Sequence, residues 1–185
     1  MSKYSKKRSI IYVLIILAVV GVIPLSKYVY IEYQKYSITK RWQDEVVLFE
    51  RGIKRDIPLA IYGLAYAYHT GHGVGKDLKK ARELYKQAAD RGEMLAQYNL
   101  GFMYHNGEGG KQDIDKAIFY YQQAAEQDYD IALMKLSLLY QAGDGVEKDL
   151  DKAKELEKRA LANFGKSISY NNQYRQIIKY QLGEF

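Results

Sequence analysis

From residue 57 onward, apolar and polar positions repeat at a step of 36 residues without a gap. Ala60, Ala96 and Ala132 correspond, as do Leu64, Leu100 and Leu136, then Tyr68, Tyr104 and Tyr140. Ala, Leu and Tyr thus recur at i, i+4 and i+8, which places one apolar stripe along a helix. Paired glycines follow in each unit: Gly71 and Gly73, Gly107 and Gly109, Gly143 and Gly145. Glycine adopts the left-handed conformation with which helices commonly end, so these pairs predict C-caps. Asp77, Asp113 and Asp149 come next, each offering a side-chain acceptor to the bare amides of a new helix. Lys80-Ala81, Lys116-Ala117 and Lys152-Ala153 open that second helix, and Ala88, Ala124 and Ala160 close it. Each unit therefore predicts a helical hairpin with small residues at the closest approach. A lone hairpin cannot bury both faces, so the units must stack into a solenoid.

The expected repeats are 57–92, 93–128 and 129–162. Residues 42–56 echo a second helix, with Phe49 one period before Tyr85, and predict an N-terminal capping helix. Residues 163–185 predict a C-terminal one, since Tyr170, Tyr174, Ile177, Ile178 and Leu182 are spaced to cover the open end of the stack. The third unit departs from the others, with Ser137 in place of Gly101 and Glu157 where Tyr85 and Tyr121 stand.

The N-terminal portion follows a different pattern. Ser9 to Ser26 is an uncharged, strongly apolar run of 18 residues. At about 1.5 Å per residue it spans roughly 27 Å, close to the hydrocarbon thickness of a bilayer. Lys3, Lys6, Lys7 and Arg8 abut it on one side, and Tyr28, Tyr30 and Tyr33 follow on the other. Pro24 and Lys27 make a poor cleavage site around Ser26, so the expectation is an uncleaved signal anchor rather than a removed signal peptide. The sequence then divides into a cytoplasmic basic tail (1–8), a transmembrane anchor (9–26) and a juxtamembrane tether or helix extension (27–41). Lys27, Lys35, Lys40 and Arg41 lie on the far side, but the denser basic cluster precedes the run. The expected location is the bacterial inner membrane, crossed once, with the N-terminus cytoplasmic and the C-terminal domain periplasmic.

Composition narrows the chemistry. The 185 residues carry a net charge of +6. Residues 1–41 hold eight Lys or Arg against Glu32 alone, and the remaining 20 basic and 21 acidic residues nearly cancel. A nearly neutral folded part argues against a phosphate-tracking surface, so no nucleic acid is expected. The absence of cysteine removes disulfides, thiol nucleophiles and thiolate metal sites, and two prolines permit long helices. Gly71-His72-Gly73-Val74-Gly75-Lys76 lacks the Ser or Thr and the preceding strand of a phosphate loop, and its glycines recur as turn formers. His69 and His105 are repeat equivalents with too few convergent ligands for a metal. Every carboxylate has a cap or a solvated-face explanation, so no catalytic residue, metal, cofactor or small-molecule substrate is expected.

The segment Gln97-Tyr98-Asn99-Leu100-Gly101-x-Met103-Tyr104, with Asn106-Gly107-x-Gly109, Asp113-x-x-Lys116-Ala117 and Tyr120-Tyr121-x-x-Ala124-Ala125, resembles the Sel-one-like repeat, a relative of the tetratricopeptide repeat. The resemblance covers residues 57–162. It implies an all-α fold, a right-handed α-solenoid, whose first helices line a concave surface. Carried over residue by residue, the groove positions are Tyr62, Tyr66 and His69, then Tyr98, Phe102 and His105, then Met134, Leu138 and Gln141. An uncharged aromatic groove suits an amphipathic helix or extended peptide of another protein. The resemblance implies a scaffold or adaptor. Small envelope-anchored proteins of this kind also resemble immunity proteins that neutralise a toxic effector acting in the periplasm, such as a phospholipase or wall hydrolase. A hydrolase is the weak alternative.

Overall fold

The computed structural model describes residues 26–164 and 166–184. The 9–26 run lies outside these residues, apart from Ser26. Among the described residues no helix is long and apolar enough to cross a membrane. The described elements are all helical: α1 (Ser26–Ile53), α2 (Pro58–Thr70), α3 (Leu78–Ala89), α4 (Met94–Asn106), α5 (Ile114–Glu126), α6 (Asp130–Ala142), α7 (Leu150–Asn163) and α8 (Lys166–Leu182). Residues 27–41 and 42–53 thus belong to one helix. The chain divides into a unit ending at Asp44 and one from Glu45 onward.

In the second unit, α2–α3, α4–α5 and α6–α7 are the three hairpins. Their first helices end alike. The amides of Gly71, Gly107 and Gly143 and of the residues after them turn back to carbonyls of the last turn: His72 donates to Ala67 at 3.1 Å, Glu108 to Met103 at 2.9 Å, and Asp144 to Leu139 at 3.2 Å. The chain then returns so that the amides of Asp77, Asp113 and Asp149 bond the carbonyls of Tyr68, Tyr104 and Tyr140 at 2.9, 2.9 and 3.0 Å. Each Asp side chain caps the second helix through the amide three residues on. The Lys of each Lys-Ala pair lies over the ring of the repeat Tyr, at 4.2 Å for Lys80 on Tyr68, 5.5 Å for Lys116 on Tyr104 and 4.6 Å for Lys152 on Tyr140.

Stacking is tight at two places. Tyr85 and Tyr121 are fully buried, and a Cβ on Gly101 would lie 2.8 Å from the Tyr121 ring. In the second and third turns the second glycine sits on the preceding hairpin. A Cβ on Gly109 would collide with the Leu78 carbonyl, and one on Gly145 with the Ile114 side chain. At the N-terminal end Phe49 fills the place of Tyr85 one period earlier and packs against Gly63. In the third hairpin the Ser137 hydroxyl, buried where Gly101 stands in the second, donates to the Ala153 carbonyl at 2.8 Å.

The junctions between hairpins hold a feature that the sequence reading missed. Asp56, Gly92 and Asp128 occupy the left-handed region with φ of 54°, 83° and 59°, at the 36-residue step. Asp tolerates this conformation better than most residues. Arg91 ties successive junctions by pairing with Asp56 at 3.0 Å, and Arg159 on α7 reaches Asp128 at 2.9 Å.

α8 forms over the expected residues but does not cover the open end. Leu150, Leu161 and Phe164 on the outer side of the third hairpin stay 52%, 63% and 75% exposed. α8 instead crosses the inner helices. It touches α6, places the Tyr170 hydroxyl 3.2 Å from Glu93 at the start of α4, sets Tyr174 against Tyr62 on α2, and brings Ile178 and Leu182 to the end of α1. The apolar spacing of a helix defines its buried face and leaves open which of two apolar surfaces receives it.

Candidate functional site

The first helices of the hairpins, α2, α4 and α6, carry the nine groove positions in three rows. The row nearest the helix starts is Tyr62, Tyr98 and Met134. Tyr62 is only 7% exposed, enclosed by Tyr85, Tyr66 and Tyr174 with ring centroids 5.9–6.4 Å apart. Tyr98 is half-buried between Tyr121 and Tyr129, at 5.6 and 5.4 Å. Met134 is half-buried against the core. The rings of this row therefore contribute to packing between hairpins and under α8.

The second row is Tyr66, Phe102 and Leu138. Tyr66 is half-buried, Phe102 is 36% exposed and Leu138 is 52% exposed. The third row is His69, His105 and Gln141. His69 Nε2 lies 2.7 Å from Glu108 Oε2 in the next turn, and its Nδ1 is 3.4 Å from the Tyr85 hydroxyl. His105 is half-buried and its Nδ1 lacks a hydrogen-bond partner. Burial, with Lys135 nearby, holds its pKa below the usual imidazole range, so it is neutral at pH 7. The Gln141 amide is exposed and donates to Ser137 at 3.3 Å. Rows two and three thus form an open, weakly charged strip with apolar groups at its centre.

The buried polar groups support structure. Burial raises the pKa of Tyr62, Tyr85, Tyr121 and Tyr170, so these hydroxyls remain protonated. Glu93 is the buried carboxylate at the start of α4. It accepts from the Leu95 amide at 3.3 Å and from Tyr170. Burial raises its pKa, only partly offset by these two donors. A carboxyl with a raised folded pKa stabilises the fold below its unfolded pKa and loses that contribution as pH rises through the folded one. Glu93→Gln keeps an acceptor without the charge. Thermal melts are expected to show a higher Tm than wild type at pH 8 and no difference at pH 4. A lower Tm at pH 8 would contradict this assignment.

Among the described residues, no group of three His, Asp or Glu is arranged to hold a metal. The turn residues Gly71, Gly73, Asp77, Gly107, Gly109, Asp113, Gly143, Gly145 and Asp149 lie in the loops that join each pair of helices.

Comparison with known proteins agrees with this architecture. The Sel1 repeat matches residues 58–93, 95–129 and 130–163. A Sel1 repeat protein from Oxalobacter formigenes is 41% identical over 69% of this chain and 50% of its own, with a TM-score of 0.57. The protein c5321, a protective antigen present in uropathogenic Escherichia coli strains and displaying an SLR fold, is 36% identical over 63% of this chain and 25% of its own, with a TM-score of 0.61. The chain therefore spans half or less of the length of these solved relatives. No curated protein matches it. Sel1 repeat proteins are in general scaffolds that bind other proteins, and the open strip across α4 and α6 is consistent with that role. With three consecutive matches over more than half its length, this chain belongs to the Sel1 repeat family.

Proposed function

We propose that this solenoid binds another protein along its inner helices and performs no chemistry. The observation that carries the reading is the exposure of Phe102 and Leu138, large apolar side chains at equivalent positions of adjacent hairpins. Large exposed apolar groups recurring at the same repeat position on neighbouring hairpins suit an interaction surface. We further propose that residues 9–26 hold the chain in the bacterial inner membrane with its repeats in the periplasm. Its most specific role there is that of an immunity protein. An inhibitor of a secreted phospholipase or wall hydrolase must wait where the toxin arrives, and an anchored groove does so.

The test is affinity capture of the full chain from envelope extract, followed by mass spectrometry and assay of the captured protein. The expected result is one stoichiometric partner whose lytic or lipase activity falls on binding. Several envelope-assembly or signalling proteins at lower occupancy would make the chain an adaptor instead. Carbonate washing is expected to leave the protein in membranes at its full 21.4 kDa. A soluble product shorter by about 26 residues would contradict the anchor.

A further inference from the structure

The structure supplies a template for what the inner face accepts. α8 presents Tyr170, Tyr174, Ile178 and Leu182 at a spacing of four, which aligns them on one side of a helix. Each meets the groove or its N-terminal edge. The Tyr170 hydroxyl reaches Glu93 at 3.2 Å. Tyr174 lies edge-on to Tyr62, with centroids 6.1 Å apart, and stacks on Phe49 at 6.0 Å. Ile178 is fully buried and faces Gly52, and Leu182 is buried with its carbonyl 3.5 Å from Arg55. Arg175 adds an ion pair to the buried Glu45 at 2.9 Å. The opposite side of α8 is exposed and mainly polar, with Gln173, Gln176 and Lys179 beside Tyr180. Helix α8 does not continue the stack, since the outer side of α7 remains uncovered. It lies across the inner helices as an amphipathic helical ligand lies in a groove.

We propose that α8 is the resident, displaceable occupant of this face, and that a partner binds by inserting an amphipathic helix of the same pattern. That helix carries two aromatic residues four apart, aliphatic residues four and eight positions further on, and an Arg directly after the second aromatic. The inference rests on the reading of the inner face as a protein-binding surface. α8 is tethered and so competes at high effective concentration. The apparent affinity for a free helix is lowered by the fraction of time the face is covered. Displacing α8 would also uncover Tyr62 next to Tyr66, widening the apolar surface available to the partner.

The test uses a fluorescent synthetic peptide of residues 166–184 and the full chain. The chain has no cysteine, so Gln173→Cys on α8 and Glu126→Cys on α5, both at exposed positions, take spin labels cleanly. Excess peptide is expected to lengthen the distance between the labels, and a peptide carrying Tyr170→Ala and Tyr174→Ala is expected to leave it unchanged. Arg175→Glu, which sets a negative charge against Glu45, is expected to bind the peptide at least about tenfold tighter than wild type, because its own α8 vacates the face more often. A label distance that stays fixed at saturating peptide would overturn the proposal, and it decides the matter even if Arg175→Glu impairs folding. A distance that changes with protein concentration alone would assign the face to α8 of a second copy and overturn the assignment to a partner. A captured partner that needs Phe102 and Leu138 but leaves the distance fixed would sink this inference and spare the broader reading. Displacement by peptide, with capture indifferent to Phe102 and Leu138, would support the exchange and sink the broader reading.

Discussion

Gly109→Ala is expected to destabilise the solenoid by about 3 kcal/mol or more in denaturant unfolding, while Gly92→Ala costs about 1 kcal/mol and Gly75→Ala stays within about 0.5 kcal/mol. The three glycines separate two causes. Gly92 has φ of 83° and open space around it, so an added methyl meets backbone strain alone. Gly75 has neither a positive φ nor a neighbour within 4 Å. Gly109 has φ of 70°, and its methyl would also collide with the Leu78 carbonyl at the start of α3. A carbonyl at a helix start cannot swing aside as a flexible side chain would, so the first and second hairpins would have to part. Stability then depends on nearest-neighbour interfaces, and a defect at one of them propagates along the stack. Equal losses for Gly109→Ala and Gly92→Ala would show that the turn does not bear on the preceding hairpin.

The hairpins were legible in the sequence because residue types with few physical alternatives mark their ends. A Gly pair and an Asp at fixed spacing leave little choice but a C-cap and an N-cap, and the structure holds the Asp77, Asp113 and Asp149 side chains on the amides of the second helices. Phe49 was legible in the same way, as the aromatic one period before Tyr85. The junctions were not, because two residue types spell the same conformation. Asp56, Gly92 and Asp128 keep the period in position but not in identity. The groove was legible only as a set of positions. An aromatic at a repeat position reads alike whether its ring meets the next hairpin, as Tyr98 meets Tyr129, or meets water, as Phe102 does. The location of α8 lay beyond any local pattern. Tyr174 finds Tyr62 and Phe49 more than a hundred residues away, and spacing within a helix carries no record of such a partner. The contact of His69 with Glu108, 39 residues on, was hidden for the same reason.

The open strip across α4 and α6 is the proposed interface. Phe102→Glu combined with Leu138→Glu places two charges at its apolar centre. Both positions are exposed, so the fold has little to lose, and surface changes of this kind alter stability by only about 0.5 kcal/mol. Binding has much to lose, because apolar anchors at the centre of an interface each contribute about 2 kcal/mol or more. Phe119→Glu serves as the control. Phe119 is 52% exposed on the outer helix α5, where its ring packs edge-on to Tyr120 at 5.1 Å and takes no part in the strip. The most direct measurement is calorimetric titration of the captured partner into wild type, the Phe102→Glu/Leu138→Glu variant and the Phe119→Glu variant, each shown by circular dichroism to keep its helicity. The proposed interface predicts at least about a hundredfold loss of affinity for the double variant and less than about a twofold change for Phe119→Glu. Undiminished binding by the double variant, with loss at Phe119, would place the interface on the outer helices and contradict it.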